Sequence, residues 1–218
     1  MNFARSMAAI VLLALYVLSR PPSLSSSERT SLAASFGFSR HRLSLPSSKV
    51  ARQIRAVHPS LRHIEAWISS VGAAAAVSDL DQDGLPNDVC LVEPRTDDVI
   101  ISPALGQDTR YVPFVLDAPS NAYDSTKMAP VGCLAGDLNE DGLTDLLIYY
   151  YGRPPIAFLR RSGVGASGLS AESFRAVDIA PPGQRWYTGS ALLADLDGDG
   201  HLDLVVANYF KDGARILD

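Results

Sequence analysis

Asp195-Leu196-Asp197-Gly198-Asp199-Gly200-His201-Leu202-Asp203 is the stretch on which the reading of this chain turns. Carboxylates stand at positions 1, 3, 5 and 9, with glycine at position 6. Alternate residues of a tightly curled loop point to one centre, and a hard divalent cation takes roughly six to eight oxygen ligands there. Asp195, Asp197 and Asp199 would converge, the His201 carbonyl would donate at position 7, and Asp203 would close the site from the start of a strand. Gly200 permits the sharp turn that bulkier residues resist. Taken alone, the triplet reads equally well as a solvated acidic turn.

Recurrence decides between the two. A second copy runs Asp137-Leu-Asn139-Glu-Asp141-Gly142-Leu143-Thr-Asp145, and a first runs Asp79-Leu-Asp81-Gln-Asp83-Gly84-Leu85-Pro-Asn87-Asp88. The spacing from Asp79 to Asp137 is 58 residues, and from Asp137 to Asp195 it is 58 again. A fixed period of that size marks a repeat built from one supersecondary unit. Each loop is followed by an apolar, largely β-branched run (Val89–Val92, Leu146–Tyr149, Leu204–Ala207) and preceded by small residues such as Ala73–Val77. Each unit therefore reads strand, ion loop, strand. An EF-hand is excluded, because position 12 holds Cys90, Ile148 and Val206 instead of a bidentate Glu.

These loops and the strands after them resemble the FG-GAP/VCBS repeats of calcium-binding β-propellers, the family that includes the integrin α-chain head. The resemblance covers about residues 71–218. It implies an all-β fold: an incomplete β-propeller of three four-stranded blades (71–130, 131–188 and a truncated 189–218), with a calcium loop between strands one and two of each. It implies up to three Ca²⁺, held by Asp79, Asp81, Asp83, Leu85 and either Asn87 or Asp88; by Asp137, Asn139, Asp141, Leu143 and Asp145; and by Asp195, Asp197, Asp199, His201 and Asp203. Position 7 (Leu85, Leu143, His201) would contribute its carbonyl. The first loop carries one extra residue, which leaves its closing ligand open between Asn87 and Asp88. The family's Phe-Gly opening is missing before every loop, and its rings usually close with more blades than three.

In blade one the strands fall at Ala73–Asp79, Asp88–Glu93, Val99–Leu105 and Tyr111–Leu116, with turns at Pro94–Asp98 and Gly106–Asp108. Blade two gives Val131–Asp137, Asp145–Tyr151, Ile156–Arg160 and, after a Gly/Ser-rich loop, Phe174–Ile179. Blade three gives Ser190–Asp195, Asp203–Phe210 and Ala214–Leu217, and lacks a fourth strand. An array of three blades cannot close, so the expectation is a fragment of a longer protein, with further blades supplied by a missing C-terminal part or by another chain.

The segments ahead of the repeats read differently. Residues 1–19 form an export signal or N-terminal membrane anchor: Arg5 precedes an apolar run of 12 residues, Met7–Leu18, short for a span. Residues 20–48 hold ten serines with Pro21, Pro22 and Pro46, a composition expected to stay a mobile tether. Residues 49–70 are ambiguous: Val50, Ile54 and Val57 have helical spacing, whereas Ile64, Ala66 and Ile68 alternate as in a strand.

Charge and chemistry narrow the function. The 218 residues are 47% hydrophobic, with 19 basic and 24 acidic residues and a net charge of −5. Eleven of those acidic residues are loop aspartates, so the acidity is local and argues for metal. No basic stripe or zinc spacing suggests nucleic acid. No nucleophile elbow accompanies the Ser, His and Asp residues, so the chain is read as no enzyme. The expected role is an exported module (extracellular, periplasmic or surface-anchored) for binding, adhesion or scaffolding, with a protein or glycan ligand. The rival reading is an accessory region of an exported enzyme whose catalytic domain lies beyond residue 218. Arg153, Arg185, Trp186 and Tyr187, on the turns opposite the calcium loops, are the candidate ligand face; the competing role for the aromatics is to plug the gap between blades. Cys90 and Cys133 lie at similar heights on facing blades and are a candidate disulfide, with two buried free thiols as the alternative.

Overall fold

The structure is a computed structural model and describes residues 2–20, 23–43, 46, 49–104, 110–118, 123–163 and 168–218. Pro21-Pro22, the Leu105 end of the third expected strand, the Gly106–Asp108 turn and residues 164–167 of the Gly/Ser-rich loop lie outside the described residues. The chain divides into two units, Met1–Arg40 and His41–Asp218.

In the first unit, helix α1 (Asn2–Leu18) carries the apolar run. No helix among the described residues is long and apolar enough to cross a membrane. Helix α2 (Ser26–Ala34) corrects the expectation of a structureless tether. Its start is a capping box: the Glu28 N–H donates to Ser25 Oγ at 3.3 Å, and the Ser25 N–H donates to Glu28 Oε2 at 2.8 Å. Ser-x-x-Glu satisfies two of the donors that a helix start leaves unpaired. The compositional argument holds for packing, since α2 buries none of its residues.

The second unit opens with a 3-10 turn, Pro59–Ile64, that runs into helix α3 (Glu65–Ser70). The strand alternative for this segment is thereby corrected. Ile64 and Ile68 satisfy both periods, but Leu61, Ile64 and Ile68 together form a helical stripe, and that stripe packs into a core. The helical spacing of Val50, Ile54 and Val57 gives no helix. That stretch is tied down by charge instead: Arg55, 6% exposed, forks onto Asp97, and Arg52 joins the same carboxylate.

Three antiparallel sheets follow. Sheet 1 has the order β1 (Ala74–Ser78), β2 (Asp88–Glu93), β3 (Asp98–Pro103), β4 (Phe114–Val115). Sheet 2 repeats it with β5 (Ala129–Gly136), β6 (Asp145–Tyr151), β7 (Ile156–Arg160) and β8 (Phe174–Asp178). Sheet 3 consists of β9 (Thr188–Ala194) and β10 (Asp203–Asn208). The first strands of the three sheets lie side by side, β1 against β5 and β5 against β9. Gly136 makes room at the second of these approaches, because a Cβ there would lie 2.8 Å from Leu193 Cδ1.

The registers of β1/β2, β5/β6 and β9/β10 place Ser78 opposite Asp88, Gly136 opposite Asp145 and Ala194 opposite Asp203. Each ion loop is thus the connection of a hairpin, at the same height in every sheet. Sheet 2 is covered on both faces, which is why β6 reads as an unbroken apolar run. Leu146, Ile148 and Tyr150 join a core shared with sheet 1, while Tyr149 and Tyr151 face a second core with Ile68, Tyr187, Ile216 and Leu217. Cys90 on β2 and Cys133 on β5 are joined as a disulfide across the first core, their Cα atoms 6.6 Å apart.

Two expected strands do not form as read. The fourth strand of sheet 1 shrinks from Tyr111–Leu116 to Phe114–Val115, because Arg110 and Tyr111 turn toward the first ion loop. Ala214–Leu217 is not a strand. Its main-chain groups go elsewhere: the Ala214 carbonyl accepts the Tyr187 hydroxyl at 2.6 Å, the Ile216 N–H donates to that hydroxyl, and the Ile216 carbonyl accepts the His58 N–H at 2.9 Å.

Candidate metal centre

One hydrogen-bond pattern recurs in all three loops. The position-1 carboxylate accepts the main-chain N–H of the position-6 glycine: Gly84 to Asp79 at 2.9 Å, Gly142 to Asp137 at 2.8 Å, Gly200 to Asp195 at 3.0 Å. The position-5 carboxylate accepts the N–H of position 7: Leu85 to Asp83, Leu143 to Asp141, His201 to Asp199. The closing carboxylate accepts the N–H of position 2: Leu80 to Asp88 at 2.7 Å, Leu138 to Asp145 at 2.9 Å, Leu196 to Asp203 at 3.0 Å. These bonds curl the loop and aim its oxygens inward. They also settle the first loop: Asp88 stands where Asp145 and Asp203 stand, and Asn87 is the inserted residue.

The backbone explains the glycines. Position 6 has φ of +88°, +84° and +91° in Gly84, Gly142 and Gly200, the left-handed region that favours glycine. Position 4 is left-handed too, at Gln82 (+63°), Glu140 (+59°) and Gly198 (+78°). Sequence reading passed over position 4, although Gly198 was its signal.

Carboxylate oxygens of Asp195, Asp197 and Asp203 lie within 4.8 Å of one another, as do those of Asp79, Asp81 and Asp88. Asp83 and Asp199, expected as ligands, stand outside these triplets. The second loop offers Asp137, Asp141, Asp145 and the side chain of Asn139, whose Nδ2 donates to Asp141 at 3.0 Å. The donors are all oxygen, which suits a hard cation. Burial grades the loops. In the third-loop triplet Asp195 and Asp197 are exposed and Asp203 is partly exposed, whereas Asp88 and Asp145 are fully buried. Burial pushes the Asp145 carboxyl above its usual range, against hydrogen bonds from the Arg160 and Leu138 amides that lower it. Asp81 is raised, first by burial and then by the charge of Asp88.

The loops also touch one another at one end of the sheets. Gln82 Nε2 donates to the Gly142 carbonyl at 2.8 Å, and His201 Nδ1 meets Glu140. Position 4 of one loop thus reaches the next loop, a link with no sequence signal, since it depends on sheet-to-sheet placement.

Residues 137–206 match the family model for the FG-GAP-like repeat. Residues 137–206 form an FG-GAP-like repeat. The match starts at Asp137, position 1 of the second loop, and runs past Asp203, so it takes in both later loops and the strands between them. No curated protein and no solved structure matches the chain.

At the other end of sheet 2, the turn after β6 and the links between sheets enclose a cleft of about 460 Å³, lined by Tyr123, Lys127, Arg153, Pro181 and Arg185 among others. The expected ligand face needs correction here. Tyr187 is fully buried, edge-on to Tyr151 and Phe210, so it plugs the gap between sheets 2 and 3. Arg153 is 6% exposed and pairs with Asp178 while lying over the Tyr150 ring. Arg185 pairs with Asp218 at 2.9 Å. Trp186 is half-buried, its Nε1 donating to Gln184 at 2.9 Å.

Proposed function

We propose that residues 71–218 are a calcium-stabilised, β-propeller-type binding module of an exported protein, with no catalytic step of its own. The observation that carries this reading is the recurrence of one loop, with one hydrogen-bond network, at the same hairpin in every sheet. Asp195, Asp197, Asp199 and Asp203, with the His201 carbonyl, would hold the ion in the third loop. Asp137, Asn139, Asp141 and Asp145, with the Leu143 carbonyl, would hold it in the second. The ion would neutralise carboxylates that otherwise repel one another, and so brace the end of the sheets. Export is supported by the apolar α1 behind Arg5 and by the Cys90–Cys133 bond, which suits an oxidising compartment. A protein or glycan ligand is assigned to the cleft end, with Arg185, Lys127 and Trp186 as its accessible polar and aromatic groups.

The test is thermal unfolding with calcium and with chelator, for the wild type and Asp197→Ala. Extracellular calcium sites often bind at about 0.1–1 mM. Calcium at about ten times Kd adds about 1.4 kcal/mol per site, which corresponds to about 3–6 °C in a chain of this size. Equal melting temperatures with and without calcium would sink the metal reading.

A further inference from the structure

Loop one departs from its two siblings in what fills it. Arg110, just ahead of the short β4, turns its guanidinium into the loop. Its Nη1 donates to Asp81 at 2.5 Å and to Asp83 at 3.0 Å; its Nη2 donates to Asp88 at 2.9 Å and to the Asn87 carbonyl at 3.1 Å. The Tyr111 hydroxyl donates to the same Asp88 oxygen at 2.7 Å. A planar fork with several donors matches paired carboxylates in a way no point charge does. The Arg110 side chain is only 20% exposed, so little of this pairing is left to solvent screening.

The oxygens that Arg110 uses are those a metal would need. Two of the three converging carboxylates of the first loop, Asp81 and Asp88, are engaged by it. The remaining one, Asp79, accepts the amides of Asp83 and Gly84 just as Asp137 and Asp195 accept two amides in the later loops, so the difference lies with Asp81 and Asp88. The position-7 carbonyl, Leu85, is engaged by the Asn87 N–H at 2.8 Å. The inserted residue fits this arrangement, because the Asn87 carbonyl is one of the four acceptors around the guanidinium. Among the described residues, neither later loop has an Arg or Lys paired with its ligand aspartates.

We infer that Arg110 is the resident cation of the first loop, and that this loop takes no calcium while the later two do. The inference deepens the calcium reading for the later loops and rests on it. Its content is a division of labour: the first loop is braced permanently by the chain itself, and only the second and third respond to calcium.

The experiment counts calcium bound per chain by titration calorimetry on the full chain, with native mass spectrometry as a second count. Arg110→Gln should bind one calcium more than the wild type and should melt lower in chelator, with calcium restoring the loss. Asp81→Asn, which alters the first loop and leaves Arg110 in place, should bind as many ions as the wild type, whereas Asp197→Asn should bind one fewer. An unchanged count in folded Arg110→Gln, or a lost ion in Asp81→Asn, would overturn the inference. If Arg110→Gln does not fold, the Asp81→Asn comparison decides alone. A wild type that binds no calcium marks failure of the reading for the later loops; a gained site in Arg110→Gln would still stand for Arg110.

Discussion

Replacing Asp145 by alanine separates the structural work of the loop carboxylates as hydrogen-bond acceptors from the ligand role proposed for them. Asp145 is fully buried at the start of β6, and its two oxygens accept two main-chain amides, Leu138 at 2.9 Å and Arg160 at 2.7 Å. The first bond closes the ion loop; the second ties β6 to the end of β7. Alanine leaves both donors without that acceptor, at about 1–3 kcal/mol for each buried group. Relief of the buried charge, visible in the raised Asp145 carboxyl, returns part of this. The expected net loss is about 2–4 kcal/mol, or roughly 5–15 °C in melting temperature. Asp203 is the control, since it occupies the same loop position, is partly exposed and, among the described residues, accepts one amide, from Leu196 at 3.0 Å. Asp203→Ala should cost only about 0.5–1 kcal/mol. Both variants are measured by urea and thermal unfolding in excess chelator, which silences any contribution from calcium. Equal losses for the two would refute the reasoning, because burial and the second amide would then be irrelevant.

Further outcomes follow from other contacts. Reducing the Cys90–Cys133 bond, which closes a separation of 43 residues, should lower stability by about 4 kcal/mol on the chain-entropy argument, read as the shift between urea curves with and without reductant; coincident curves would speak against the bond. Tyr187→Phe removes a hydroxyl that serves both Ala214 and Ile216 and should cost about 1–3 kcal/mol, whereas Trp186→Ala should cost less; the reverse order would return Trp186 to the role of plug. Glu93 is held below its usual range chiefly by the Arg95 side chain, so the folded state binds its proton more weakly than the unfolded chain does. Stability from this pair is therefore full above about pH 4.5 and is lost as pH falls through the lower folded value. Glu93→Gln should flatten that part of the stability profile, and an unchanged acid limb would count against it.

The repeat, the strands and the ion loops were legible because each rests on local chemistry. Alternating oxygens with glycine at position 6 specify a curled loop whatever surrounds it, and a fixed 58-residue period specifies equivalent placement. The strands Asp88–Glu93, Asp145–Tyr151 and Ile156–Arg160 came out with the boundaries expected of them, since apolar β-branched runs between turn residues leave little choice. The capping box at Ser25 was equally local and was obscured by serine-rich composition.

Tertiary structure decided the rest. Ile64 and Ile68 satisfy two periods at once, and only the core formed with Tyr187 and Ile216 selects helix. Ala214–Leu217 looks like a strand until the Tyr187 hydroxyl and His58 claim its main-chain groups. Asn87 and Asp88 are indistinguishable as the closing residue of the loop in the sequence; the β1/β2 register, by setting Asp88 opposite Ser78, gives Asp88 the place that Asp145 and Asp203 hold. The filling of the first loop by Arg110 joins residues 22 to 29 positions apart, with no periodic or compositional mark. A sequence specifies which groups carry charge and where the chain turns. Which cation reaches a given set of carboxylates depends on the path of the whole sheet.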